Sequence, residues 1–330
     1  MDNQLIEQIE AARARTGDDA RPGVVEKIHA SDRLTARERI TLLFDKSSFI
    51  EYGALAGATT RPNDEHYADG LVAGVGLIAG QSVVAASYDS SVLAGTQSDR
   101  NHRKIAKLLY LAVEHRWPFV CFVEGAGARP DDPLPAPPIA VSPRGRFELY
   151  DGLAELNGWA PTVAVVTGNA VDGHAAIAML CDLVITSSDA TFGSADGHSR
   201  AVTDFAKTGD VDMVAKNERD AIEGARRYLS FYLTEPSSGD APPDAEHIAD
   251  IIPQNRRRPY DMRKVIASFA DADSTLELGA DWGRSMLTVL ARLGGRTVGI
   301  YANQPKSPLA GAIDTAAADK ASRFIELCDA

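Results

Sequence analysis

Cysteine is scarce: Cys121, Cys181 and Cys328 are the only three in 330 residues, and two of them lie inside apolar runs. No spacing pairs them for zinc or for a disulfide framework, so they read as core thiols in a reducing compartment. No apolar run approaches the roughly 18 to 20 residues of a membrane helix. Charged residues directly after Met1 leave no secretory signal, which makes the cytoplasm the expected location. Basic excess is also missing. A formal charge of -12 argues against nonspecific binding to nucleic acid or membrane. It does not exclude an anionic small ligand, because a local Arg or Lys cluster overrides the average. No His, Cys, Asp or Glu cluster has metal-ligand spacing. Gly70, Gly74 and Gly76 resemble a nucleotide fingerprint only superficially, since they lie in a hairpin pattern with no helix behind them.

What is present is a strand–turn–helix–strand reading from Val163 to Thr186. Val163-Ala164-Val165-Val166 leads through Thr167 to His174, then a small-residue helix to Cys181 and a strand Leu183 to Thr186. A strand that turns through glycine into a helix start presents backbone N–H groups. Phe119 to Val123, followed by Glu124-Gly125-Ala126-Gly127-Ala128-Arg129, is an earlier copy. Neither copy contains a strong nucleophile. The pair suggests polarisation of a carbonyl by main-chain donors more than covalent catalysis.

Around these segments, Thr35 and Glu38 have capping-box spacing ahead of Ile40, Leu42 and Leu43. Gly70–Ile78 and Ser82–Ser87 read as a hairpin across Ala79-Gly80-Gln81. A helix over about His102–His115 carries the stripe Ile105, Leu108, Leu109, Ala112 and Val113. Repetition of strand, turn and helix predicts an α/β sheet with helical crossovers. Six prolines between Pro130 and Pro143 form a loop, either a lid, a partner surface or a plain exposed segment. Helices are expected over Arg146–Asn157 and Arg219–Leu233, and Glu235–His247 reads as a linker. Beyond it come a helix from Met262, a strand Thr275–Leu278, a helix-like segment Ser285–Leu290, a strand Thr297–Tyr301 and a helix Thr315–Leu327. Little chain is left to cover that last strand. The expected domains are 1–250 and an incomplete 251–330.

These residues resemble the carboxyltransferase subunit (beta-subunit type) of biotin-dependent acyl-CoA carboxylases, in the crotonase-like superfamily. Leu34 to Ile40, Asp69 to Gly76, Tyr88-Asp89 with Gly95-Thr96, and Asn217-Glu218 carry the likeness. So do Pro259 to Arg263 and Gly299 to Pro305. The resemblance implies a crotonase-like fold of repeated ββα units and an acyl-CoA substrate held mainly by the N-terminal domain. It implies carboxybiotin at a facing subunit's C-terminal domain, and an oligomer. Biotin would arrive on a separate carrier, since no Ala-Met-Lys-Met-like segment occurs. Biotin carboxylase and biotin carrier subunits are the implied partners, with a separate C-terminal carboxyltransferase half as a further one. The family's second oxyanion hole lies beyond the span of this sequence, which suggests a truncation, a split protein or a degenerate homologue.

The resemblance also assigns roles. Gly127 and Ala128 are expected to direct amide N–H groups at the acyl thioester oxygen, and Gly173 and His174 to form the second turn of the site. Gly125 and Ala126 depart from the family's Asp-Ser-Gly-Gly-Ala-Arg. Asp172 and His174 replace small residues of Gly-Pro-Cys-Ala-Gly-Gly-Ala. A carboxylate beside a developing oxyanion opposes it, and His174 is either a base or a structural group, the latter being expected. Arg100, Arg103 and Lys107, with Arg129, are the expected contacts for CoA phosphates; a solvated helix face is the alternative for the first three. Alternative functions are an acyl-CoA decarboxylase or other crotonase-type reaction, and a noncatalytic scaffold.

Overall fold

The computed structural model describes residues 3–57, 67–130, 148–194, 196–234, 248–255 and 257–329. The linker 235–247, most of the proline-rich loop and the first residues of the helix expected from Arg146 lie outside them. By internal contacts the chain forms two compact units, Met1–Val202 with Ala215–Ala225, and Thr203–Val214 with Arg226–Ala330. These bounds differ from a division at residue 250, and hydrogen bonds give the reason. Arg227 Nη2 donates to the carbonyls of Asp273 and Thr275, and Phe231 O accepts from Thr297 Oγ1, so the chain from 226 onward is tied to the later strands.

In the first unit, α1 (Asn3–Ala14), α2 (Pro22–His29) and α3 (Ala36–Leu43) precede the sheet. The capping box of α3 is formed: Glu38 N donates to Thr35 Oγ1 at 3.0 Å and Thr35 N to Glu38 Oε2 at 2.8 Å. Strand β1 (Ile50–Glu51) pairs antiparallel with β2 (Leu71–Ile78), and β2 with β3 (Gln81–Tyr88). Ala79 and Gly80 both have positive φ, the two-residue turn whose twist suits a hairpin. Helix α4 (Asp99–His115) then crosses to β4 (Phe119–Gly125), α5 (Leu149–Leu156) precedes β5 (Thr162–Val171), and α6 (Gly173–Met179) precedes β6 (Leu183–Ser187). Strands β3, β4, β5 and β6 run parallel in that order. The runs Phe119–Val123 and Val163–Val166 are completely buried, as strands covered on both faces must be. Ile105, Leu108, Leu109 and Ala112 form the buried stripe of α4. Short strands β7 (Thr191–Gly193) and β8 (Ser199–Ala201) extend the end of β5.

The chain continues through α7 (Val202–Ala206), β9 (Met213–Ala215) and α8 (Glu218–Leu233). The second unit carries α9 (Ile248–Ile251), α10 (Met262–Phe269), β10 (Leu276–Leu278), β11 (Met286–Leu293), β12 (Arg296–Asn303) and α11 (Thr315–Asp329). Ser285–Leu290, read as helix-like, is instead mostly β11. Its apolar run alternates onto a core of Leu287, Val289 and Ala291 with Ile266 and Ala270, and it pairs along its whole length with β12. A short apolar run does not by itself separate buried strand from helix. One face of β12 is covered after all, because Gly299 lies against Cys328 and Phe324 of α11.

Candidate active site at the ends of parallel strands

The two glycine-bearing segments meet. Strands β4 and β5 are adjacent and parallel, in register from Phe119↔Thr162 to Val123↔Val166, with a shift before Gly125↔Ala170. Their turns therefore emerge side by side at the C-terminal ends of the strands, where ligand crevices of α/β sheets form.

In the first turn Gly125 and Gly127 have φ of 155° and 82°. A Cβ at Gly125 would lie 2.5 Å from Gly95 O and 2.6 Å from the His174 ring, so glycine is required by space as well as conformation. Gln97 N donates to Gly127 O and Arg129 N to Gln97 O, both at 2.8 Å. These bonds straddle Ala128. Among the described residues, neither the Gly127 nor the Ala128 N–H has an acceptor. Ala128 is exposed.

The second turn is tighter than the sequence suggested. Strand β5 runs through Gly168, Asn169 and Ala170 to Val171, and Asp172, at φ 47° and ψ −105°, makes the whole reversal into α6. Gly168 serves close approach and not a turn: a Cβ there would lie 2.6 Å from Arg33 Nη2 and 2.9 Å from Glu124 Oε2. The two turns face each other at packing distance, since a Cβ at Gly127 would sit 3.4 Å from Val171 Cγ1 and 3.5 Å from Asp172 Oδ2. The Asp172 carboxylate is thus beside the first turn. Its exposure to water weakens its opposition to a developing oxyanion.

His174 points inward. It is fully buried, its ring meets Tyr88 edge-on with centroids 4.5 Å apart, and Nδ1 lies 3.4 Å from Val171 O. Burial lowers its pKa to about 4, against the partly offsetting carbonyls of Val171 and Gly95. The buried imidazole thus fills the space beneath Gly125.

Behind the turns lies a buried ion cluster. Arg39, 2% exposed, donates to Glu124 Oε2 at 2.9 Å and to Glu218 Oε2 at 3.0 Å. Arg33 bonds the same two carboxylates and donates to Thr167 O at 2.6 Å. Burial alone would raise the Glu124 pKa, but Arg39 and Arg33 outweigh it and bring it to about 2. The cluster ties α3, β4 and the start of α8 behind the first turn. A cavity of about 380 Å³ opens beside it, with Lys27, Arg33, Ser31, Ser90, Ser91 and Glu124 in its wall.

The expected phosphate contacts separate into two groups. Arg129 is buried at 3% and donates to Asp69 Oδ1 at 2.6 Å and to Thr96 Oγ1 at 3.2 Å, which commits its guanidinium to the protein interior. Arg100, Arg103 and Lys107 lie exposed along α4. Arg100 donates to Gly57 O, Arg103 pairs with Asp99 at 2.6 Å, and Lys107 lies 5.6 Å from the Tyr110 ring centre. Gln97 and Arg39 were not singled out from sequence. A lone Gln after a glycine turn and an Arg inside a capped helix carry no local signal, and their partners lie 30 to 179 residues away.

Two adjacent parallel strands of an α/β sheet thus end in facing backbone turns, the kind of place where such sheets form ligand crevices. The family model for the carboxyl transferase domain matches residues 27–196 and 194–330, and the chain belongs to this family. It is 33% identical over 365 aligned positions to the biotin-dependent acetyl-/propionyl-coenzyme A carboxylase beta5 subunit of Mycobacterium tuberculosis (strain CDC 1551 / Oshkosh), covering 99% of this chain and 64% of that protein. It superposes on a single-chain, multi-domain long-chain acyl-CoA carboxylase with a TM-score of 0.88 and 37% identity, over 99% of this chain and 35% of the other. The transcarboxylase 12S hexamer, solved with hydrolysed methylmalonyl-coenzyme A bound, gives 0.79 and 30%, over 99% and 66%. The fold is therefore crotonase-like, and the chain spans about two-thirds of the length of the beta5 relative. Among the described residues no helix is long and apolar enough to cross a membrane.

Proposed function

We propose that this chain is the acyl-CoA-binding part of a biotin-dependent carboxyltransferase, which moves a carboxyl group from carboxybiotin to the α carbon of an acyl-CoA. The observation that carries the reading is the first turn. Gly127 and Ala128 present N–H groups without acceptors among the described residues, beside the facing turn at Asp172 and Gly173. Donors fixed in this way need no reorganisation when charge develops on a thioester oxygen. Carboxybiotin, when bound, would supply CO₂ together with a ureido nitrogen able to take the α proton, and this chain's part would be to hold the enolate charge with the Gly127 and Ala128 N–H groups. No side-chain base is required, in keeping with an inward, neutral His174. The exposed cations of α4 are assigned to CoA phosphates, with Arg129 excluded by its pairing to Asp69. Biotin arrives on a carrier, charged by a biotin carboxylase. The rest of the carboxyltransferase belongs to the same or another chain of an oligomer, and the cytoplasm is the proposed location.

Calorimetry with propionyl-CoA tests the reading. Saturable binding that is tighter than that of free CoA is expected. Absence of binding to any short acyl-CoA overturns it.

A further inference from the structure

Three buried polar side chains lie at and behind the two turns, and the reaction above uses none of them. Gln97, 2% exposed, holds the first turn through its backbone, accepting from Arg129 and donating to Gly127. Its side chain reaches the second turn, where a Cβ added at Gly173 would overlap Gln97 Oε1 and come within 3.0 Å of Cδ. His174 fills the space under Gly125, and Tyr88 braces His174. One residue thus touches both turns, and two others back it.

The three are poorly satisfied. Gln97 Nε2, Tyr88 Oη and His174 Nε2 are buried without a hydrogen-bond partner among the described residues. Tyr88 lies near the Gln97 side chain and the His174 ring near the Gly95 carbonyl, without hydrogen-bond geometry at these three atoms. An unpaired buried donor costs stability, and an apolar residue of the same shape would avoid that cost. Such a group at a functional site is where stability is given up for geometry.

We propose that Gln97, backed by Tyr88 and His174, is a positioning residue that sets the separation between the Gly125–Ala128 turn and the first residue of α6. It does not touch the substrate. Its planar amide, wedged against Gly173, holds the Gly127 and Ala128 N–H groups of the facing turn where a thioester oxygen meets them. This rests on the carboxyltransferase reading, because it concerns donors that the reading assigns to that oxygen.

The test uses the full chain with propionyl-CoA labelled with ¹³C at the carbonyl, and reads the carbonyl stretch of the bound ligand by isotope-edited infrared spectroscopy. Donors that polarise the carbonyl lower its frequency. In the parent chain a lowered frequency is expected. In Gln97→Leu the frequency should return toward that of free propionyl-CoA, while the melting temperature stays equal or rises and the Kd for free CoA is unchanged. Should Gln97→Leu fail to fold, Gln97→Met carries the same measurement. A lowered frequency that survives either substitution overturns the proposal. So does a parallel fall in melting temperature and CoA affinity, the signature of a purely structural role, and so does a parent complex with no lowering at all. A parent chain that binds no acyl-CoA removes the carboxyltransferase reading, and this proposal with it.

Discussion

Replacing Glu124 with Gln removes the carboxylate shared by Arg33 and Arg39 behind the first turn, and the size of the effect follows from its surroundings. The carboxyl falls from an ordinary 4.5 to about 2 in the folded chain. At about 1.4 kcal/mol per tenfold change in proton affinity, the charged form contributes roughly 3 kcal/mol to folding. Breaking a buried ion pair by removing one partner costs about 3 to 5 kcal/mol by an independent route, so the two agree. The sign follows from the depressed value. The contribution is complete above pH 4.5 and is lost as pH falls toward 2. Trp117 and Trp159 lie in the first unit and Trp282 in the second, so urea unfolding followed by fluorescence in a Trp282→Phe background reports on the first unit. At pH 7 Glu124→Gln should be less stable by about 3 kcal/mol, or about 6 to 12 °C in melting temperature for a unit of this size. The gap between the two proteins should narrow below pH 4.5. A loss under about 1 kcal/mol, or one that does not change between pH 7 and 3, would refute the reasoning.

Burial lowers His102 and His174 to about 4, so both should stay neutral in the folded chain down to about pH 5, giving flat imidazole NMR shifts from pH 8. The unfolded chain takes up protons first, and stability should therefore fall between pH 6.5 and 4, a higher window than that of Glu124. Arg103→Ala with Lys107→Ala should weaken acyl-CoA by about 1.5 to 3 kcal/mol per charged hydrogen bond lost and flatten its salt dependence. An unchanged Kd, with Lys27→Ala weakening it instead, would move the phosphates to the cavity beside Arg33. Burial pushes all three thiols up, but Cys121 and Cys181 are buried while Cys328 is exposed, so Cys328 should react first with a thiol reagent in the native chain. Three fast thiols would show that the sheet does not close over the other two.

The strands and crossovers were legible because their causes are local. Thr35 and Glu38 cap α3 through bonds three residues apart, Ala79-Gly80 closes its hairpin in two residues, and Ile105 to Ala112 carry helical spacing. The first glycine-bearing turn was visible for the same reason, since a reversal writes its conformational demand into adjacent positions, whereas the second was read too early, because Gly168 continues the strand and Asp172 makes the reversal. Ser285–Leu290 was not legible, because a short apolar run takes its form from its partner, here β12. The same holds within the site. Sequence placed Arg129 among the phosphate contacts by position alone and left His174 between a base and the structural group that was expected. Burial and Asp69 then committed Arg129 to the interior, and the space left by Gly125 turned His174 inward. Gln97 wedged between the turns, and the Arg33, Arg39, Glu124 and Glu218 cluster behind them, arise from contacts that the sheet order creates across many residues. A residue's period and neighbours determine which element it joins. Which charges lose their water, and what then answers them, is decided only when distant segments close around them.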